Sequence, residues 1–234
     1  MERLYEGTLK KEEETQYFHV QILTSEHLQE ILQVQAEVVS KLNNQSTLQP
    51  LTEEEFQYIL DGHGLMLGAF VGNELIAFRA LLAPIIDDEH LGRDIGLKDD
   101  ELPSVIYQEI SNVLPAYRGN QLQKTLAILI MEELAKQEHS FRYVCCTVAP
   151  FNIPSLKDKF SQGMQIAALK VKYGGSLRYI FVQDLQHTNH LDWTETVYIS
   201  MDDTSAQQLK LAEGFRGIGM EERDGKLIVK YGKE

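Results

Sequence analysis

The sequence predicts an α/β protein, α+β-like in having a mixed β-sheet with helices packed on its faces. Three observations predict it. Segments with apolar residues at helical spacing interleave with segments of strand composition. Turn-forming clusters (Gly72-Asn73, Gly174-Gly175-Ser176 and Asp224-Gly225) separate the strand-like runs. The third observation is capacity: 234 residues, 43% hydrophobic and 24% charged, can bury a sizeable core and are too apolar for whole-chain disorder.

The elements follow in order. Residues 1–16 form a charged N-terminal segment (Lys10, Lys11, Glu12, Glu13 and Glu14), expected to fray at its start. Residues 17–23 have strand composition. Ser25 is placed to cap a helix carrying Leu28, Ile31 and Leu32, and Thr52 with Glu55 has capping-box spacing for a second helix, broken at 61–64. Strands are expected over 65–71 and 74–82, then an acidic, proline-broken excursion over 84–103, within which 87–92 reads as a solvated loop or, as the sharper alternative, an acidic lip that attracts a cationic acceptor. A strand over 104–113 leads through Pro115 into a helix near 121–138, with Leu122, Leu126, Leu129, Ile130 and Leu134 on its apolar stripe. The run 141–148 is continuous enough for a strand covered on both faces. A shorter helix opens at Asn152-Ile153-Pro154-Ser155, and strands over 165–173 and 177–184 complete a main domain spanning 17–184. Residues 185–234 form a C-terminal α/β extension packed on the same domain: a strand at 196–201, a helix at 204–213 and a hairpin at 215–231.

Composition excludes some functions. With 35 acidic against 22 basic side chains, the net charge of -13 disfavours sequence-independent nucleic-acid binding and suits cationic or amine-bearing ligands. The start, Met1 to Glu6, lacks the basic flank and apolar run of a signal peptide, and no apolar stretch reaches the roughly 18 residues of a spanning helix. Cys145 and Cys146 are neighbours that point to opposite faces of a strand, so they should not pair; the expectation is a reduced, cytoplasmic protein away from membranes. Asp87-Asp88-Glu89 fails as a calcium loop, because Lys98 stands where a bidentate carboxylate is needed. His187 and His190 lack a third ligand nearby, so no metal site is expected. The appended strands can supply a homodimer surface.

Chemistry concentrates in Asn112-Val113-Leu114-Pro115-Ala116-Tyr117-Arg118-Gly119-Asn120-Gln121-Leu122-Gln123. This segment leaves a strand, turns at Arg-Gly and enters a helix, whose first amides and positive dipole end suit a phosphate. Gly119 permits close backbone approach, and Arg118 adds a permanent positive charge; the bland alternative is a turn with no ligand.

The run Val113-x-Pro115-x-Tyr117-Arg118-Gly119-Asn120 resembles the pyrophosphate loop of the GCN5-related N-acetyltransferases. Asn152-x-x-Ser155 followed by Gly163-Met164 resembles a second element of that family, and the element order from about 17 to 184 is similar too. The resemblance implies an acyl-CoA N-acyltransferase fold with splayed central strands and acetyl-CoA as cofactor. It implies that the backbone of Asn112, Val113 and Leu114 meets the pantetheine arm and that amides from Arg118 through Gly119, Asn120, Gln121 and Leu122 to Gln123 cradle the pyrophosphate. Asn152 would hold the pantetheine from the other side of the splay, with Ser155 nearby.

This chain departs from the family at Gln121 and Gln123, where small residues are usual, and at Lys159, where many members place an acidic tyrosine. Lys159 reads as a solvated helix residue, with a phosphate contact as the alternative. Glu109 is the candidate base, with Tyr107 its partner in strand alternation, to donate a proton or shape the pocket; the plain alternative is a carboxylate paired with a neighbour. The expected function is acetyl transfer to the amine of an unidentified small molecule by direct attack in a ternary complex, releasing CoA. The alternative is a catalytically silent CoA-binding regulatory module.

Overall fold

The computed structural model describes residues 2–42, 48–137, 141–187 and 192–234. In chain order these form β1 (Tyr5–Lys11), β2 (Glu14–Ile22), α1 (Leu28–Ser40), α2 (Glu53–Tyr58), β3 (Gly64–Val71), β4 (Glu74–Leu82), α3 (Leu91–Asp94), β5 (Val105–Val113), α4 (Leu122–Leu134), β6 (Tyr143–Val148), α5 (Ile153–Ser161), β7 (Gln165–Lys172), β8 (Ser176–Asp184), β9 (Glu195–Ser200), α6 (Thr204–Ala212), β10 (Arg216–Arg223) and β11 (Lys226–Lys233). No described helix is long and apolar enough to cross a membrane. The chain divides into two compact units, Met1–Pro84 with Tyr107–Ser140 and Ile85–Ile106 with Phe141–Glu234.

In the first unit the strands run β1-β2-β3-β4-β5, each antiparallel to the next. β3 and β4 are buried along nearly their whole length because α1 packs on β4 and α4 covers both strands. Leu122, Leu126 and Ile130 of α4 are almost fully buried, each contributing about 1.5–3 kcal/mol of transfer free energy. Phe56 meets Phe78 edge to face, with centroids 5.7 Å apart. The capping box at Thr52 forms: the Glu55 carboxylate accepts from Thr52 N at 2.7 Å and Thr52 Oγ1 accepts from Glu55 N at 3.2 Å.

Two local expectations change. Within the charged segment 1–16, Tyr5–Lys11 is a strand, paired from Tyr5↔Val20 to Lys11↔Glu14 and turned by Glu12 at φ 57°. Its side chains stay in water apart from buried Leu9, so cross-strand pairing rather than burial defines it. Ser25 does not cap α1. It opens a short 3₁₀ turn in which Thr24 N donates to His27 Nδ1 at 3.1 Å, and α1 begins at Leu28.

The second unit has the strand order β6-β8-β7-β10-β11-β9, again antiparallel between neighbours. The C-terminal strands extend this sheet through β10 beside β7, at Gly217↔Ile166. α6 is anchored by Gln207, which is fully buried: Tyr179 and Tyr231 donate to its Oε1 at 2.7 and 2.8 Å, and its Nε2 donates to the Ser200 and Met201 carbonyls. Satisfied on every side, this network holds the helix to β8 and β11.

The excursion is not a solvated loop. His90, Leu91 and Leu102 are buried, and Lys172 of β7, itself buried, pairs with Glu89 at 2.7 Å and Asp94 at 3.1 Å. Lys170 adds a second pair to Asp94 at 2.9 Å. A buried ammonium needs anionic partners, and the excursion supplies them from about eighty residues away in the chain.

Candidate active site

The segment from β5 to α4 lies within the first unit and carries most of the expected site residues. In the β4–β5 ladder Asn112 faces Phe78 and Val113 faces Ala77, while Leu114 N donates to the Ile76 carbonyl at 2.9 Å. Antiparallel pairing alternates, so the main-chain groups of Asn112 and Leu114 turn toward β4 and those of Val113 and Ser111 turn away. Of the three backbone positions implied by the resemblance, only Val113 therefore turns its main-chain groups away from β4, with Ser111 as an unexpected second. Period-two counting from Val113 is the signal that finds it. Ser111 Oγ and Asn112 Nδ2 are both buried with no hydrogen-bond partner among the described residues. Orphaned polar atoms of that kind call for a polar ligand or water.

After Leu114, a 3₁₀ turn over Pro115–Tyr117 buries Tyr117, whose hydroxyl donates to Glu74 at 3.2 Å and accepts from Lys11 at the same distance. The chain then reaches Gly119 at φ 83° and Gln121 at φ 57°, both left-handed, and Gln121 is the N-cap of α4. No side chain caps this helix. A Cβ on Gly119 would meet nothing within 4 Å, so the backbone there borders open space. The Arg118 side chain is exposed and makes no hydrogen bond or ion pair among the described residues, whereas its main-chain N–H, expected in the cradle, donates to the Pro115 carbonyl at 3.3 Å. Asn120 is committed elsewhere: its amide bonds the Lys10 main chain at both ends (2.7 Å each) and the Tyr117 carbonyl at 3.0 Å, tying the loop to β1. The side chains of Gln121 and Gln123 are exposed at the rim of the helix start, and Leu122 is a core residue.

Glu109 and Tyr107 sit on β5 at half-buried positions. Ile110 faces Ala80 and Gln108 faces Leu81, so Glu109 is the extra residue of a β-bulge. Bulges re-aim side chains. The Glu109 carboxylate makes no hydrogen bond or ion pair with described residues, which removes the plain reading of a neutralised pair. Burial, with the charge of Glu55 a smaller influence, pushes its pKa up to about 7.

Asn152 and Ser155 lie in the second unit at the start of α5, where Asn152 Oδ1 accepts from Ser155 N at 3.4 Å. Gly163 at φ 78° closes that helix, with Met164 N donating to the Lys159 carbonyl at 3.2 Å. Lys159 is not solvated as expected. It is buried and pairs with Asp158 at 3.2 Å, because α5 lays that face against β-structure. Cys145 and Cys146 are free and buried, and burial pushes the Cys145 thiol far up, which makes it a packing residue. His187 bonds Asp184 at 3.0 Å; His190 lies outside the described residues.

No protein-family profile matches the sequence, and no curated protein matches it. Solved structures do. An N-acetyltransferase from Staphylococcus aureus Mu50 superposes with a TM-score of 0.53 at 17% identity, over 72% of this chain and 98% of that one. The ribosomal-protein-S18-alanine N-acetyltransferase from Escherichia coli gives 0.54 at 14%, over 72% and 94%. NAA60 from Arabidopsis thaliana, solved with acetyl-CoA, gives 0.54 at 15%, over 72% and 99%. At such identities the likeness speaks for architecture, and the chain has the acyltransferase fold of the GCN5-related N-acetyltransferase superfamily.

Proposed function

We propose that the protein is an acetyl-CoA-dependent N-acetyltransferase acting on a small-molecule amine in a ternary complex. The observation that carries this reading is the uncapped start of α4, reached through left-handed Gly119 and Gln121 beside the unpaired Arg118. Free amides and a guanidinium at one helix end suit a diphosphate. The outward main chain of Val113 and Ser111 suits an amide-bearing arm. Acetyl-CoA, when bound, supplies the activated acyl thioester. The chain's part is to hold the coenzyme along β5 and α4 and to take a proton from the amine. Glu109, with a pKa near the working pH, fits the second task. Tyr107 is the partner proposed to shape the pocket. Free cysteines and the acidic balance fit a cytoplasmic enzyme and a cationic acceptor.

Thiol release from acetyl-CoA across a panel of amines tests this. We expect kcat/KM to rise with pH through about 7 as Glu109 ionises, and Glu109→Gln to lower the rate by roughly 10²-fold or more and to erase that limb. Saturable coenzyme binding without turnover on any amine would favour the silent module, a reading that Lys159 at the usual acid position keeps open. Stability gives an independent check. The folded carboxyl holds its proton to higher pH than the unfolded one, so its contribution is lost between about 4.5 and about 7 as pH rises. Glu109→Gln should therefore raise Tm at pH 8 and leave it almost unchanged at pH 4.5.

A further inference from the structure

The second unit contains a cavity of about 760 Å³, none of whose lining residues belongs to the β5–α4 segment. Its size is that of a small-molecule site. Ala167, Val182 and Ile218 line it from the sheet, with Trp193 beside them. The wall is built, not incidental: Trp193 and Ile218 each lie 2.8 Å from where Gly232 would carry a Cβ, so the missing side chain makes room for both. The cavity also touches the C-terminal end of α5 (Phe160 and Gly163), about 13 Å along a nine-residue helix from the Asn152 end.

Arg216 of β10 lines the same cavity. It is partly buried, and its guanidinium bonds only the Phe215 carbonyl, at 3.3 Å, with no carboxylate paired to it among the described residues. Neighbouring arginines differ: Arg142 is paired with Asp184 at 2.9 Å and Arg93 with Asp99 at 2.5 Å. Asp184 also lines the cavity but is already engaged by Arg142, His187 and the Gln186 amide. Glu234 lines it too and is exposed. Burial holds the Arg216 guanidinium below its ordinary pKa, with no offsetting anion. A partly desolvated arginine without a carboxylate partner is costly unless an anion completes it.

We propose that this cavity binds a small molecule carrying a carboxylate or phosphate on an apolar body, with Arg216 holding the oxyanion. The proposal does not depend on the acyl-transfer reading. Trp193 is the chain's sole tryptophan, so intrinsic fluorescence reports on the cavity directly. The full chain is titrated with benzoate, phenyl phosphate and neutral benzamide. Benzoate or phenyl phosphate should give a saturable change, the stronger of the two identifying the anion, while benzamide should give none. Arg216→Gln should weaken the response at least tenfold, and its Tm without ligand should equal or exceed that of the wild type. Should that variant not fold, Ala167→Leu, which fills the cavity and keeps the charge, should abolish the response. Equal titration by benzamide, no saturable response to either anion, or unchanged binding in a folded variant overturns the proposal.

Discussion

Two helix starts, those of α4 and α5, carry the two segments that resemble acyltransferase motifs, and they are built in opposite ways. At α5 every early amide is accounted for. Ile153 N donates to the Phe151 carbonyl at 2.8 Å, Pro154 has no N–H, Ser155 N donates to Asn152 Oδ1, and Leu156 N donates to the Asn152 carbonyl at 2.9 Å. At α4 the first intrahelical bond runs from Thr125 N to the Gln121 carbonyl, and no side chain covers the amides of residues 122–124. Both starts were assigned to the coenzyme by resemblance. The difference is that the α4 start has no side-chain cap, the feature on which the proposed anion site rests, whereas the Asn152 side chain closes its own helix.

The largest effect expected from this contrast is at Arg118. Arg118→Ala should weaken coenzyme A binding by roughly 10- to 100-fold, the range of a charge-assisted phosphate contact, and leave the Tm of the free protein almost unchanged because the side chain is exposed. Calorimetric titration beside a thermal melt measures both. Equal affinity in the two proteins would break the assignment of α4. Asn152→Ala should do the reverse, costing about 1 kcal/mol of stability as a lost cap and changing coenzyme affinity less than threefold. Affinity loss matching that of Arg118→Ala would erase the distinction between the two helices.

Much of this architecture was legible in the sequence, because it rests on local signals. The stripe from Leu122 to Leu134, the Thr52–Glu55 box and the Asp224-Gly225 turn, with φ 51° and 73°, each report their own geometry. The misses have non-local causes. β1 is a strand because of what it pairs with, not what it buries. The burial of Lys172 depends on Glu89 and Asp94, which are remote in sequence. Glu109 is a candidate from its place before the loop, but the bulge that carries it is a matter of β4–β5 register and no residue pattern announces it. The commitment of Asn120 to Lys10 was hidden for the same reason.

The smallest effect is the sharpest comparison. Each helix is preceded by a left-handed residue that is not glycine, Gln121 at φ 57° before α4 and Phe151 at φ 65° before α5. That conformation crowds a Cβ against the backbone and costs on the order of 1 kcal/mol. Glycine at either position removes the crowding but loosens the unfolded chain, so Gln121→Gly and Phe151→Gly should each change stability by less than about 1 kcal/mol. Affinity separates them. Glycine at 121 clears a side chain from the rim of an open helix start and should tighten coenzyme A by a fewfold, whereas glycine at 151 stands before a closed one and should leave binding unchanged. Tightening by both variants would mean that loop flexibility, not the uncovered amides of α4, governs the coenzyme's hold.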